Sequence, residues 1–233
     1  MIDKSKIEMR IDVTPNGPYA VTGGVPLSNV RIVRDENKAA VGWETVYEFP
    51  AMETYVLCRC GGSKFKPFCD STHCLEHFDG TEVDSRAEYM DGAQVYSGEG
   101  IDLLDNERFC VHAGFCDRGK NAWEYTADSA DADSRATALE EAALCPSGRL
   151  VMFLKESCSE NEIAYPPSIA LIEDPVYNVS GPIWVRGGIP IYGADGVLYE
   201  KRNRVALCRC GKSANKPYCD GTHYDVGFND GHI

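Results

Sequence analysis

What the chain is short of narrows the field first. Basic residues are scarce: 23 Lys and Arg stand against 36 Asp and Glu, a formal net charge of −13. Nucleic acid and anionic membrane both need a basic face, so neither is expected as a partner. The acidity fits either plain solubility or docking on a basic patch of a protein partner. No run approaches the roughly 18 apolar residues of a membrane span. The first ten residues, MIDKSKIEMR, lack the apolar core of a secretory signal and the Arg-rich, acid-poor character of a transit peptide. A cytoplasmic location is therefore expected. A nucleotide fingerprint, a phosphate loop and a nucleophile–base constellation are also missing, so the chain is not expected to be an enzyme.

Cysteine, by contrast, is plentiful, with eleven in 233 residues. A reducing compartment argues against a disulfide framework, and so does an odd number. Metal or redox chemistry is the better expectation, and the placement of the cysteines decides between them.

The chain repeats itself. Residues 57–73 read LCRCGGSKFKPFCDSTH and residues 207–223 read LCRCGKSANKPYCDGTH, with twelve of seventeen positions identical at an offset of 150. Upstream, GPYAVTGGVPL at 17–27 matches GPIWVRGGIPI at 181–191 at an offset of 164, so the first copy holds 14 more residues between its two blocks. The ends are duplicated modules. Short β-rich stretches precede each cysteine loop, at 19–21, 30–33 and 45–49 and again at 183–185, 197–200 and 204–207. A short helix is expected after each loop, with Asp70 or Asp220 in its first turn. Between the modules, the pattern predicts a strand over 93–104, a helix over 134–144 and a strand over 149–155, with the acidic stretch 126–135 as a solvated loop. Boundaries follow at 1–83, 84–164 and 165–233, the last entered through Tyr165-Pro166-Pro167.

Each repeat carries C-x-C-x8-C-x3-H. The ligand candidates are Cys58, Cys60, Cys69 and His73 in the first copy, and Cys208, Cys210, Cys219 and His223 in the second. Cys69 and His73 are four apart, as are Cys219 and His223, so one helical turn would present sulfur and imidazole on the same face. An extended C-x-C points its two thiols alike, and Gly61 and Gly211 let the backbone approach a metal. Structural zinc also takes three thiolates and a histidine, although its first pair is usually spaced C-x2-4-C. Iron–sulfur and zinc are both open on spacing alone, with iron–sulfur favoured.

The motif C-R-C-G-x-S-x3-P-[FY]-C-D-G-T-H resembles the CDGSH (mitoNEET-like) family. The second copy, Cys219-Asp220-Gly221-Thr222-His223, follows its pattern fully; the first has Ser71 where the family has glycine. A serine costs little in a helical first turn, so binding is expected at both. The resemblance implies one 2Fe–2S cluster per motif, held by three cysteines and one histidine. It also implies an α+β architecture in which two small β-rich modules pair about a pseudo-twofold axis within one chain, as a monomer, with an inserted α+β ferredoxin-like lobe.

The middle segment has its own signature. Cys110, Cys116 and Cys145-Pro146 are spaced like the clustered cysteines and remote Cys-Pro of a ferredoxin, but Ala113 occupies the central cysteine position. Three cysteines fit a 3Fe–4S cluster, or a 4Fe–4S cluster with a fourth ligand of another kind. The segment resembles divergent single-cluster ferredoxin domains with C-x-H-x3-C and CPSG, in which His112 is the candidate fourth ligand. Cys74 and Cys158 are left over and are expected to be buried free thiols, Cys74 with a lesser claim as a substitute ligand. Arg59, Arg209, Lys66 and Lys216 flank the motifs, as counter-charges or as solvated side chains.

A histidine in place of a thiolate removes one negative charge from the metal, so reduction becomes easier. The leading expectation is an electron carrier with two 2Fe–2S clusters and a third, 3Fe–4S or 4Fe–4S, serving a protein redox partner. The alternatives are cluster transfer to an apo-protein acceptor or redox and pH sensing, and a zinc-binding structural module.

Overall fold

Strand burial follows the pleat at the first module's start. In the computed structural model, which describes residues 8–233, β1 (Arg10–Val13) buries Ile11 and Val13, and β2 (Tyr19–Thr22) buries Tyr19 and Val21. The ten residues that carry the expectation of no leader lie mostly outside the described residues. β3 (Leu27–Arg34) and β4 (Ala40–Glu48) form a hairpin, β5 (Thr54–Leu57) buries Tyr55 and Leu57, and α1 (Thr72–Leu75) follows the cysteine loop. The middle segment contributes β6 (Gln94–Ser97), β7 (Ile101–Asp105), α2 (Ala122–Ala127), α3 (Ala132–Leu144), β8 (Leu150–Leu154) and β9 (Ser159–Glu160). The second module supplies β10 (Ser168–Asp174), β11 (Val179–Arg186), β12 (Ile191–Tyr192), β13 (Arg204–Leu207) and α4 (Thr222–Asp225).

The modules exchange strands. One sheet runs β12-β1-β2-β5 and another β13-β11-β10-β3-β4. β1 pairs in parallel with β12 through Ile11 and Ile191, and β10 pairs in parallel with β3 through Ile169 and Leu27. The amide of Ile11 donates to Pro190 O at 2.9 Å and that of Ile169 to Pro26 O at 2.8 Å. Ile11 faces Val21 across its hairpin just as Ile169 faces Val185, so a pseudo-twofold axis relates the two halves. One shared core fills the space between the sheets, drawing Ile11, Val21, Leu27 and Leu57 from one module and Ile169, Ile183, Ile191 and Leu207 from the other.

The middle segment forms a lobe with its own sheet, β6-β7-β8-β9, and its own core of Ile101, Leu103, Ala138, Ala142, Leu150 and Met152 under α2 and α3. Asp131 caps α3 by accepting from the Ser134 amide, and the helix stops at Cys145-Pro146. Val111, Ala113 and Phe115 of this lobe cover the outer face of the second sheet, against Ala170, Ile172 and Trp184. That is why β10 is buried on both faces and reads as a continuous apolar run rather than an alternation.

Several local expectations change. Residues 93–104 are a hairpin, not one strand, because Gly100 turns the chain at φ 76° and the Gly98 amide bonds Ile101 O. Residues 197–200 make a single bridge, Tyr192 to Leu198, since the turn at Gly193–Gly196 leaves no room for a longer ladder. Part of the stretch 126–135 is helical, as the end of α2 and the start of α3. Among the described residues no helix is long and apolar enough to cross a membrane.

Candidate metal centres

Each motif is held open by the same set of loop contacts. After β5, the Cys58 amide donates to Pro67 O at 2.8 Å and the Cys69 amide to Val56 O at 3.0 Å, so the two arms of the loop lie side by side. The Ser63 hydroxyl ties the loop by donating to Phe68 O at 2.6 Å. The Asp70 carboxylate accepts from the amides of Lys64, at 2.9 Å, and Thr72, at 3.0 Å. The second copy repeats these bonds: Cys208 to Pro217 O, Cys219 to Ala206 O, Ser213 to Tyr218 O, and the amides of Ala214 and Thr222 to Asp220. Ser63 and Ser213 are site residues that ligand spacing does not single out, although their recurrence in both copies of CRCG-x-S is the signal that could find them.

Within these frames the ligand candidates converge in pairs. Cys58 Sγ and Cys60 Sγ lie 3.7 Å apart, and Cys208 Sγ and Cys210 Sγ are also 3.7 Å apart. Cys69 Sγ is 3.3 Å from His73 Nδ1, and Cys219 Sγ is 3.2 Å from His223 Nδ1. Two thiolates about 2.3 Å from one tetrahedral metal stand about 3.8 Å from each other, so each C-x-C pair has the spread of two ligands on one metal. Among the described residues no three Cys, His, Asp or Glu side chains gather as a single-ion site. The convergence is two by two.

The route to that geometry differs from the helical-turn expectation. α1 begins at Thr72 and α4 at Thr222, so Cys69 and Cys219 lie ahead of the helices, and Asp70 and Asp220 stand outside the first turn, each accepting from its first amide. The residue between is left-handed: Ser71 at φ 70° and Gly221 at φ 89°. Serine at position 71 is thus strained rather than neutral, because a Cβ crowds the following carbonyl in this conformation.

Hydrogen bonds set the charge of the sulfurs. Cys58 is pushed down to about 6 and Cys208 to about 7, first by the hydrogen bond from the neighbouring Cys60 or Cys210 and then by backbone amides. Cys60 and Cys210 are pushed up by the same pairing, so each pair holds one proton firmly and gives up the other. Burial raises Cys69 and Cys219. Burial, then the charge of Arg209, lowers His223 to about 4, which keeps its imidazole neutral and able to bind metal.

Both arginines between the paired cysteines are buried, not solvated. Arg209 pairs with Glu173 at 2.6 Å and with Asp230, and donates to the carbonyls of Gly181 and Ile172. Arg59 donates to the carbonyls of Gly80 and Thr14 and lies over the rings of Tyr19 and Phe78. Lys66 and Lys216 are spent within their loops, on Ser63 O and Ser213 O. Cys74 and Cys158 are exposed, contrary to expectation: Cys74 follows His73 on the outer side of α1, and Cys158 sits in a turn at φ 50°. His232 Nε2 lies 2.9 Å from Lys66 O.

In the middle lobe Cys110, Cys116, Cys145 and His112 line one small pocket. Cys110 ends a single 3-10 turn, the Cys116 carbonyl accepts from the Ala122 amide at the start of α2, and Cys145 ends α3. Burial pushes the Cys116 thiol up to about 12. Gly114, at φ 84°, lets the loop turn between Cys110 and Cys116.

The two copies are not equally covered. Cys208, Cys210, Cys219 and His223 are all buried, whereas Cys60, Cys69 and His73 are only partly so. The middle lobe rests on the β3–β4 hairpin of the first module, where Trp43 donates to Leu144 O and Arg34 to Ala113 O. It reaches the second site directly: Arg204 donates to the carbonyls of Ala142, Ala143 and Cys145 at the end of α3, and Asn215 donates to Arg108 O at 3.0 Å. Thr54 and Phe65 stand at the corresponding positions of the first module.

A family profile described as iron-binding zinc finger, CDGSH type, matches residues 16–74 and 180–224. A second, described as divergent 4Fe–4S mono-cluster, matches residues 96–155. No curated relative and no solved structure matches the chain.

Proposed function

Because the chain carries two iron-binding CDGSH-type modules flanking a divergent 4Fe–4S mono-cluster domain, we propose that it is an iron–sulfur electron carrier, with a 2Fe–2S cluster in each end module and a third cluster in the middle. The pairwise convergence of ligands carries this reading. Cys58 with Cys60, and Cys69 with His73, would each hold one iron of the first cluster; Cys208 with Cys210, and Cys219 with His223, would do so for the second. Cys110, Cys116 and Cys145 would hold a 4Fe–4S or 3Fe–4S cluster, with His112 the candidate for a fourth position. Such clusters, when bound, supply reversible one-electron chemistry.

The chain's own residues prepare these sites. The amides of Gly62 and Ser71 point at the sulfurs of Cys60 and Cys69, both at 3.4 Å, and the Gly221 amide points at Cys219 at 3.5 Å. Such N–H to sulfur bonds favour additional negative charge on the ligand shell. Imidazole ligands at positions 73 and 223 would leave less negative charge to overcome than thiolates would. The strand-exchanged frame sets both loops on one shared core, which would limit rearrangement on a change of charge.

A protein redox partner is the proposed counterpart, and the chain would act as a monomer whose two modules pair internally. The test is anaerobic reduction and reoxidation followed by visible absorbance and EPR. An electron carrier cycles without loss of colour. Colour that passes instead to an added apo-ferredoxin would mark a cluster-transfer protein.

A further inference from the structure

We propose that the two end sites are divided in labour: the middle lobe seals the second site, with His112 as the lid on Gly221 and Asn215 as the clasp, and leaves the first site as the chain's port for exchange with the outside. This rests on the cluster assignment above.

Three independent contacts close the second site. The ring of His112 occupies the space where a side chain at position 221 would begin, so it lies directly on the loop between Cys219 and His223. The His112 backbone is itself left-handed, at φ 57°, and its ring stands between the two sites, bordering the pocket of the middle cysteines on one side and Gly221 on the other. On the other flank, Asn215 holds the carbonyl of Arg108, two residues before Cys110. Beneath both, Val111, Ala113 and Phe115 pack in one cluster with Cys219. His223 is left 2 % exposed.

At the first site, among the described residues, His232 reaches the Lys66 carbonyl at 2.9 Å, but no ring lies over Ser71 as His112 lies over Gly221. Ser71, the counterpart of Gly221, is exposed, and Phe65, the counterpart of Asn215, is 73 % exposed. Leu75, on the same short helix as His73, is 82 % exposed. The glycine at 221 is therefore required twice over, by its φ and by the ring above it. The serine at 71 is tolerated because only the backbone term applies there.

The duplication explains how this arose physically. Twofold pairing makes two equivalent sites, but a single inserted lobe can dock on only one of them. Arg204 beside the second site supplies the guanidinium that satisfies the carbonyls of Ala142 and Cys145 at the end of α3, while Trp43 of the β3–β4 hairpin donates to Leu144 O.

The experiment is loss of visible absorbance from anaerobically purified, cluster-loaded protein in excess EDTA, with iron and acid-labile sulfide assayed at the start. Two phases are expected from the end clusters, separated at least tenfold in rate, and Cys69→Ala should remove the fast phase alone. His112→Ala should speed the slow phase at least fivefold while leaving the fast phase unchanged. Asn215→Ala should speed it by a smaller factor and keeps the test open if His112→Ala also disturbs the middle cluster, whose EPR signal is followed in parallel. Equal rates at the two end sites overturn the proposal, as does a slow phase that neither variant moves. Protein without iron or sulfide at the start would instead refute the cluster assignment on which it rests.

Discussion

Gly61 of the first cysteine loop lies against the carbonyl of Cys210 in the second: at φ 81°, a Cβ on Gly61 would stand 2.6 Å from that oxygen. Gly211 meets the carbonyl of Cys60 in the same way. The two loops therefore touch across the pseudo-twofold axis at the residues that follow each C-x-C pair, and the pairing of the modules and the shape of the sites are one property.

Gly61→Ala tests that link. The left-handed backbone alone costs roughly 1–2 kcal/mol for a non-glycine residue, and overpacking against a fixed carbonyl adds roughly 1–3 kcal/mol. Gly196, at φ 77° with open space around its α-carbon, isolates the first contribution. Denaturant unfolding should therefore show Gly61→Ala at least twice as destabilising as Gly196→Ala. Equal losses would mean that the loops do not press on each other.

Ser71→Gly relieves the strain at the first site. The variant is expected to gain about 1 kcal/mol in denaturant unfolding, because the left-handed conformation no longer carries a Cβ. Gly221→Ser, the reverse change, should cost more than Ser71→Gly gains, since a side chain there also displaces His112. Similar magnitudes would show that His112 does not rest on Gly221.

Acid should weaken the fold through His223. Its imidazole is lowered to about 4, chiefly by burial and then by Arg209. Below about pH 6.5 the unfolded chain gains a proton that the folded chain refuses until about pH 4. The contribution is therefore complete above pH 6.5 and is lost as pH falls from there toward 4, about 3 kcal/mol in all. Denaturant midpoints of the cluster-free chain between pH 7 and pH 4 check this. His223→Gln should flatten the profile in that window; an unchanged slope would show that His223 is not the group responsible.

The repeat and the ligand spacing are legible in the chain because they rest on identities and on residue chemistry, and the internal pairing is legible through the family resemblance those residues carry. The strand exchange is not: β12 is two residues long, too short for any period, and it pairs with β1 only because a partner is waiting in the other module. The left-handed turn at Ser71 is hidden for a similar reason. Glycine in the second copy is the clue, but a Gly-to-Ser difference reads equally well as a harmless helix start. Exposed Cys74 and Cys158 defeat the usual expectation for free cysteine because Cys74 sits on a one-turn helix with no buried residue and Cys158 in a turn. The seating of the middle lobe over the second site draws on Arg204 and Asn215 of one module and on Arg34 and Trp43 of the other, and none of these residue types announces its partner along the chain.

If these cysteines and histidines hold iron–sulfur clusters, two in the ends and one in the middle, the metal content of the chain must say so. Iron, zinc and acid-labile sulfide per chain are to be measured in anaerobically purified protein, wild type beside Cys110→Ala. Three clusters require more iron than two 2Fe–2S clusters hold, with matching sulfide and little zinc, falling in Cys110→Ala to the content of two such clusters. Zinc without sulfide would refute the cluster assignment as a whole, and iron unchanged by Cys110→Ala would remove the middle cluster from it.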